Sequence, residues 1–347
     1  ADPAEAVERA RQCLALTTPS IRLQYPADAE EHFDEIHRVM ARWLQMQRFS
    51  TANYKGKRIE DAWVERMRQL HKNRPAGQKL IDIFGPWIPL VVPWFSQWQK
   101  NHRTYPEGLV NTLLSVLRPD VPYLTVSQND DGLTGKCEFL NSWVPNLLVL
   151  SAGGNGHVAV PLFNQPEPVS NEKPMAARKY FMTFVGSLTE THPPYKLRER
   201  LAQMMKNEAL KLGFKTFCGK AENWRQIMAD TRVSLCPRGN GRSSYHLVET
   251  LQSGLIPVHI YSDTPWVPYP DLFEKLGYVV SLGQLPALVA RLHGADSEEL
   301  AARERAVLQH RDSHFSLAGA LGHIEAFMLH GGGDLRCRPL PDNHSNT

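Results

Sequence analysis

The spacing of apolar residues in the first part of the chain predicts helices. Over residues 30–46 the apolar positions recur every three or four residues, which places them on one face of a helix. The side chains on that face are Phe33, Ile36, Met40, Trp43 and Leu44. A second helix is predicted over residues 60–70.

Residues 80–95 are strongly apolar, but prolines interrupt them. These prolines are Pro86, Pro89 and Pro93. Because proline lacks a backbone donor and clashes with the preceding turn, no regular helix runs through this stretch. We predict a buried, kinked segment in which Trp87 and Trp94 are core residues.

Shorter apolar runs, separated by polar turns, follow at residues 123–127, 147–151 and 158–163. Runs of this length that are apolar throughout are typical of strands buried on both faces of an α/β sheet. The proline-rich residues 163–174 predict a linker.

After the linker, predicted strands and helices alternate with short connections. The predicted elements lie at residues 180–187, 195–212, 214–219, 222–230, 233–236, 244–253 and 256–260, with a helical tail over 297–330. Such alternation predicts right-handed βαβ units and a parallel sheet. We therefore predict two α/β domains, residues 1–172 and 173–347.

Composition and charge exclude several classes of protein. With 42% hydrophobic and 22% charged residues, the chain has the composition of a globular protein, not of a disordered one. The net charge is only +3 and the basic residues are scattered, so no nucleic-acid partner is expected. No apolar run is long enough to span a membrane. The five cysteines fit no metal-binding spacing, and their odd number leaves at least one thiol unpaired.

Residues 233–260 carry the strongest chemical signal of the sequence. An apolar run breaks at Pro237 into a glycine-rich turn, and Gly239 allows the backbone to approach a ligand closely. A helix then begins at Ser243 or Ser244. The N-terminus of a helix offers unpaired N–H groups and the positive end of its dipole, which together bind phosphate.

Two side chains complete this predicted site. Arg238 can contact the same anion with two hydrogen bonds, and the carboxylate of Glu249 can accept hydrogen bonds from the hydroxyl groups of a ribose. In an open parallel sheet, ligands lie beyond the carboxyl ends of the strands, where these residues stand. The pattern therefore predicts a site for a nucleoside diphosphate.

Other readings of this stretch are weaker. A nicotinamide-dependent oxidoreductase would need a third glycine, which GNGRSS lacks, and its glycine motif would open a first βαβ unit. The glycine-rich lysine motif of phosphate-binding-loop kinases is absent from the sequence. A tight turn with a purely structural arginine remains an alternative.

Residues 236–258, CPRGNGRSSYHLVETLQSGLIPV, resemble the signature of the exostosin family of glycosyltransferases. In that signature a strand ends in C-P-R-G, and S-S-Y-R and E-A-L-x-x-G-x-I-P-V follow. Further stretches are similar to family elements in the same order, and the likeness runs from about residue 20 to residue 330. These stretches are EEHFDEIHRVMARWLQMQRFST, YLTVSQNDDGL, GHVAVPLF and RKYFMTFVGS.

The resemblance implies two Rossmann-like domains that face a central cleft, the GT-B type of glycosyltransferase. It implies inverting transfer of a hexose or pentose from a nucleotide sugar, usually UDP-linked, to a hydroxyl of a glycan or glycoprotein. It also implies a catalytic domain in the Golgi lumen, with a membrane anchor absent from this sequence. The sequon at Asn343 fits a secreted glycoprotein. We expect no cofactor and no metal, because the sequence contains no D-x-D motif that would bridge a metal to the diphosphate.

The resemblance also assigns roles to residues outside the glycine-rich turn. Arg198 becomes a phosphate ligand, although a solvated helix charge explains it equally well. Asp263 becomes a ligand of the donor-sugar hydroxyls, or else caps a turn. Asp130 becomes the catalytic base for the acceptor hydroxyl, although NDDG also suits a plain turn.

This sequence departs from the family pattern at two histidines. His246 stands where the family often has arginine, so diphosphate binding would depend more on Arg238 if the imidazole is neutral. His157 stands where the family often has aspartate, and we predict that it is a surface residue of the first domain. A family member that has lost catalysis and persists as a sugar-binding or partner-binding scaffold is the main alternative function. The sequence leaves the donor sugar, the acceptor and the linkage open.

Overall fold

The computed structural model describes residues 3–46, 56–133, 143–164, 173–190, 196–295 and 297–341 of the chain. The chain forms two compact units. The first unit consists of Ala1–Val160 together with Ala320–Pro341, and the second consists mainly of Pro161–Gly319.

The first unit contains a short parallel sheet and the helices around it. Its elements are α1 Pro3–Ala15, α2 Ala29–Met40, α3 Ile59–Asn73, α4 Leu80–Phe84, β1 Ile88–Pro89, α5 Trp94–Lys100, α6 Glu107–Val116, β2 Tyr123–Ser127, β3 Leu147–Ser151 and β4 Val158–Ala159. The strands pair in parallel in the order β1-β2-β3-β4. Trp63, Trp94 and Tyr123 are fully buried in this unit, because the apolar faces of the helices cover the sheet.

The second unit alternates strands and helices throughout. Its elements are β5 Tyr180–Val185, α7 Leu197–Leu212, β6 Thr216–Gly219, α8 Trp224–Ala229, β7 Thr231–Pro237, α9 Tyr245–Gln252, β8 Ile256–Tyr261, α10 Pro270–Leu276, β9 Tyr278–Ser281, α11 Leu285–His293 and α12 Ser297–Phe315. The five strands are all parallel, in the order β6-β5-β7-β8-β9. The last helix, α13 Leu317–His330, leads back into the first unit.

The α/β class with two parallel-sheet, Rossmann-like units is thus confirmed. The strands predicted at residues 123–127 and 147–151 have the predicted bounds. The kinked segment consists of α4, the edge strand β1 and the start of α5, and Trp87 and Trp94 are buried in it as predicted. Pro89 is tolerated because β1 lies at the edge of the sheet.

The division of the chain differs from the predicted domains at the C-terminal end. The predicted second domain extended to the last residue, but Ala320–Pro341 packs with the first unit. The contacts that hold it there include a disulfide between Cys13 and Cys337, an ion pair of Arg66 with Glu325 at 2.7 Å, and the packing of Met328 against Gly85. Gly85 has a φ of 63°, and a side chain at this position would collide with the Met328 carbonyl. The predicted helical tail is accordingly two helices, interrupted at Ser316.

The remaining cysteines and the helix lengths complete the description. Cys218 and Cys236 are free, and burial raises the pKa of the Cys236 thiol to about 12, so it is inert at neutral pH. Cys137 and the sequon at Asn343 lie outside the described residues. Among the described helices, none is both long enough and apolar enough to cross a lipid bilayer.

Candidate functional site

The strand order of the second unit defines where a ligand is expected. The chain enters the sheet at the inner strand β5, forms the edge strand β6 on one side and then crosses to β7 on the other side. The order therefore reverses between β5 and β7, and doubly wound sheets bind ligands beyond the carboxyl ends of the strands at such a point. Gly186 and Ser187 follow β5, and Arg238 follows β7.

Arg198, in the first turn of α7, joins the two chain segments at this point. Its Nε and Nη2 donate to the Arg238 carbonyl oxygen at 3.3 and 3.0 Å, and its Nη1 donates to the Ser187 carbonyl oxygen at 3.0 Å. Burial lowers the pKa of Arg198, which is a partly buried residue. The alternative of a solvated helix charge is therefore wrong, because this guanidinium bridges two loops. The predicted contact with phosphate stays a prediction.

Arg238 holds the turn that follows β7, residues 238–243, which we call the Arg238 loop. Its side chain donates to the carbonyl oxygens of Gly241 at 3.1 Å and Asn240 at 3.0 Å, and to Ser262 Oγ at 2.8 Å. The residue is only 8% exposed. The guanidinium thus has the structural role that the sequence left open as an alternative, since its donors organise the loop.

Asp263 is the anionic partner of this loop. Its carboxylate accepts from Arg238 Nη1 at 3.1 Å and from Arg242 Nε at 2.6 Å. Burial raises the pKa of Asp263. The backbone N–H of Thr264 and the two guanidinium groups lower it by more than burial raises it, so the pKa lies below its usual value. Asp263 is therefore more than the cap of a turn. Its predicted contact with sugar hydroxyls stays a prediction.

The start of α9 is closely attached to the Arg238 loop. Gly239 N donates to the Ser243 carbonyl oxygen at 2.8 Å, and a Cβ added at Gly239 would lie 3.0 Å from that oxygen. Ser244 occupies the N-cap with an extended backbone, but its side chain does not cap the helix. Its Oγ is buried and has no hydrogen-bond partner within the described part of the chain. A buried hydroxyl without a partner costs free energy, so a ligand oxygen at this point would satisfy it.

His246 and Glu249 lie together on the next turn of α9. Nε2 of His246 lies 3.1 Å from Ser234 Oγ, and Nδ1 lies 3.8 Å from Glu249 Oε2. Glu249 Oε1 accepts a hydrogen bond of 3.0 Å from the Asn164 side chain. Burial raises the pKa of Glu249. The hydrogen bond and charge of His246, together with the hydrogen bond from Asn164, have a larger effect in the opposite direction, so the pKa of Glu249 is lowered overall. Glu249 therefore presents a carboxylate at neutral pH.

The sequence did not single out Asn164. It lies in the stretch predicted as a linker, 85 positions from Glu249, and no local pattern connects the two residues. Its side-chain oxygen is buried and has no partner in the described structure. Asn164 therefore belongs to the candidate site as the residue that orients Glu249.

The predicted residues of the first unit fall into two groups. Asp130 is exposed in the turn that follows β2, at the carboxyl end of the strand, where Gly132 has a φ of 61°. The prediction that His157 is a surface residue is wrong, because the residue is only 2% exposed. Its Nδ1 accepts a hydrogen bond from Val149 N at 3.1 Å. Burial lowers the pKa of His157 to about 4, so it is a neutral structural histidine.

Comparison with known proteins agrees with this geometry. The family model for the Exostosin GT47 domain matches residues 147–292, a range that contains the Arg238 loop, α9 and Asp263. The match confirms the exostosin resemblance over residues 147–292. No curated protein sequence matches the chain.

Solved structures are similar to the chain at low identity and with low TM-scores. A crystal structure of the GtfA/B complex is 11% identical, with a TM-score of 0.40 over 64% of this chain and 55% of its own. TarM is 10% identical, with a TM-score of 0.35 over 65% of this chain and 46% of its own. WaaG, a glycosyltransferase involved in lipopolysaccharide biosynthesis, is 11% identical, with a TM-score of 0.35 over 90% of this chain and 98% of its own. The chain thus spans about half the length of the first two.

Proposed function

We propose that this chain is an inverting glycosyltransferase. It moves a hexose or pentose from a nucleotide sugar, UDP-linked, to a hydroxyl group of a glycan or glycoprotein acceptor. The observation that carries the proposal is the start of α9 at the point of strand reversal, where the Ser244 hydroxyl is buried without a partner among the described residues.

The diphosphate of the donor binds the N-terminus of α9, with Ser243 and Ser244 as its hydroxyl donors. Gly239 keeps the loop backbone close to the helix start. Arg238 and Arg198 donate hydrogen bonds to carbonyl oxygens of the loop, which would otherwise repel a phosphate. Their positive charge, together with the helix dipole, replaces the metal that other glycosyltransferases use for the departing diphosphate.

Glu249 binds the ribose in this proposal. Its lowered pKa keeps the carboxylate ionised, so that it accepts from the two ribose hydroxyls. Asn164 and His246 hold the carboxylate from two sides. Asp263 remains our candidate for the hydroxyls of the transferred sugar.

Asp130 is the proposed base. Its carboxylate takes the proton of the acceptor hydroxyl while the acceptor oxygen bonds to the anomeric carbon. The bond from that carbon to the diphosphate oxygen breaks on the opposite face, so the configuration inverts and the nucleoside diphosphate leaves. As charge develops on the leaving diphosphate, the donors at the start of α9 stabilise it.

The disulfide supports a location in the secretory pathway, and we propose the Golgi lumen. Cys13 and Cys337 are separated by 324 positions and close the first unit covalently. Disulfides persist in oxidising compartments and are rare in the cytosol. The proposed location agrees with a glycan or glycoprotein acceptor.

The test compares two serines of the same helix. Ser244 lies at the N-terminus of α9, whereas Ser253 is the C-cap, where the dipole repels anions. Ser244→Ala should weaken UDP binding about 10- to 150-fold in calorimetry, since a hydrogen bond to a charged group contributes ~1.5–3 kcal/mol. Its melting temperature should be close to that of the wild type, because Ser244 Oγ makes no hydrogen bond to any residue that the structure describes.

Ser253→Ala should leave UDP affinity unchanged. Equal UDP affinity of the Ser244→Ala variant and the wild type would remove the helix start from the diphosphate site. UDP binding without any hydrolysis or transfer of a nucleotide sugar would instead support the scaffold alternative.

A further inference from the structure

A group of buried polar side chains surrounds the turn that carries Asp130. We call residues 128–132 the Asp130 turn. The group lies at the carboxyl end of β2 and on the elements packed against it. Its members, all at most 5% exposed, are Arg58, Glu60, Tyr105, Ser127, Gln128 and Asn129. Buried polar groups are costly unless they are hydrogen-bonded, so their concentration at one strand end requires a reason.

Glu60 is the centre of this group. It lies in the first turn of α3 and is completely buried. One carboxylate oxygen accepts from Gln128 N at 2.8 Å, and the other accepts from Phe95 N at 2.8 Å. In return, the Gln128 side chain accepts from Ile59 N at 3.1 Å. Glu60 therefore ties the start of α3 to the first residue of the Asp130 turn.

Tyr105 fixes the other end of the same turn. Its hydroxyl donates to the Gly132 carbonyl oxygen at 2.9 Å, while its ring packs edge-on against Trp94. Gly132 N closes the turn by donating to the Asn129 carbonyl oxygen at 3.1 Å. The two ends of the turn are thus held by buried side chains, and the exposed Asp130 lies between them.

The chain pays for this arrangement with stability. Burial raises the pKa of Glu60 to about 8, with the neighbouring Asp61 adding to the effect, although the two backbone N–H groups and Arg58 lower it. An apolar residue would avoid that cost but could not accept from two backbone N–H groups. Costly buried groups that position a loop at the carboxyl end of a parallel strand are typical of functional sites.

We propose that Glu60 is a positioning residue for the base of the transfer reaction, and that Tyr105 assists it. The proposal rests on the proposed function, in which Asp130 takes the proton of the acceptor hydroxyl. Glu60 touches neither substrate; it acts by fixing the backbone of the Asp130 turn, so that the carboxylate of Asp130 keeps one orientation.

Glu60→Gln tests the proposal, because glutamine keeps the shape but turns one acceptor into a donor. We expect kcat to fall about 10²-fold, the loss typical of a misplaced catalytic group. The KM for the nucleotide sugar and the Kd for UDP should stay within about twofold of the wild type. Hydrogen exchange should become faster at the amides of residues 128–132 and at Phe95.

Asp61→Asn is the matched control, since it changes the neighbouring acid on the same helix, which pairs with Arg58 instead of the turn. It should leave kcat and the exchange of residues 128–132 unchanged. If Glu60→Gln does not fold, Tyr105→Phe supplies the same test, because it removes the bond to Gly132 and keeps the packing on Trp94. We expect kcat of this variant to fall about tenfold, with UDP affinity unchanged.

Three outcomes are distinguishable. Wild-type kcat in folded Glu60→Gln and Tyr105→Phe would overturn the proposal, and so would a loss that Asp61→Asn shares. If the wild type transfers no sugar, the proposed function fails. In that case, hydrogen exchange alone tests the positioning role of Glu60. That role is overturned if the amides of residues 128–132 exchange as slowly in Glu60→Gln as in the wild type.

Discussion

In each unit, buried polar side chains bind backbone groups at the carboxyl end of the sheet, but the side chains of the two units have opposite hydrogen-bonding character. In the first unit, the Glu60 carboxylate accepts from the backbone N–H groups of Gln128 and Phe95. In the second unit, the guanidinium groups of Arg198 and Arg238 donate to backbone carbonyl oxygens. Each of these side chains binds one kind of backbone group and so changes which hydrogen-bonding groups remain for a ligand.

This difference fits two different substrates. In the proposed function, a buried acceptor that binds N–H groups favours a sheet end that accepts hydrogen bonds, which suits the hydroxyl of an acceptor sugar. Buried cations that take carbonyl oxygens favour an edge that donates hydrogen bonds, which suits a diphosphate. The same parallel-sheet architecture thus acquires two chemical characters, depending on whether one or two buried side chains accept or donate hydrogen bonds.

The largest effect is expected at the Arg238 loop of the second unit. Arg238→Ala should lower the free energy of unfolding by about 3 kcal/mol, because it removes one partner of a buried ion pair and the donors that hold the loop. Urea unfolding measures this loss. Arg242→Ala should cost less, since Asp263 keeps its bond to Arg238. Equal losses in the two variants would show that the Arg238 loop does not depend on Arg238.

A smaller effect is expected at Glu249. Glu249→Gln should weaken UDP binding by ~1–3 kcal/mol in calorimetry, because a charged acceptor is lost while the shape is kept. The exposed Glu199 provides the control, and Glu199→Gln should bind UDP as the wild type does. Unchanged UDP affinity in folded Glu249→Gln would remove Glu249 from the ribose role.

The same variant has a pH signature. The pKa of Glu249 is lower in the folded protein than in the unfolded chain, so its carboxylate stabilises the fold above the unfolded value of about 4.3. That contribution is lost as the pH falls through the lower folded pKa. Denaturant unfolding between neutral and acidic pH should therefore show a steeper loss in the wild type than in Glu249→Gln.

The smallest effect is expected at Gln128, at the carboxyl end of β2 in the first unit. Gln128→Ala removes the acceptor of Ile59 N and should lower the free energy of unfolding by about 1 kcal/mol. UDP affinity should not change, because the residues proposed to bind the nucleotide lie in the second unit. Thermal unfolding and calorimetry on one preparation check both statements. A change in UDP affinity would contradict the assignment of separate roles to the two units.

The sequence alone determined the features that local patterns encode. The strands at residues 123–127 and 147–151 follow from apolar runs of fixed length, and the start of α9 follows from glycines and serines within ten positions of Pro237. These predictions succeed because helix period, strand length and turn chemistry depend on near neighbours in the chain.

Only the tertiary structure decided which distant residues meet. The partners of Gln128 and Glu249 are Glu60 and Asn164, 68 and 85 positions away. An apolar period states which face of a helix is buried but not against what, so the return of Ala320–Pro341 to the first unit was likewise invisible in the sequence. The partners of a buried charge are selected by the whole packing arrangement, because only a complete set of contacts offsets the cost of desolvation.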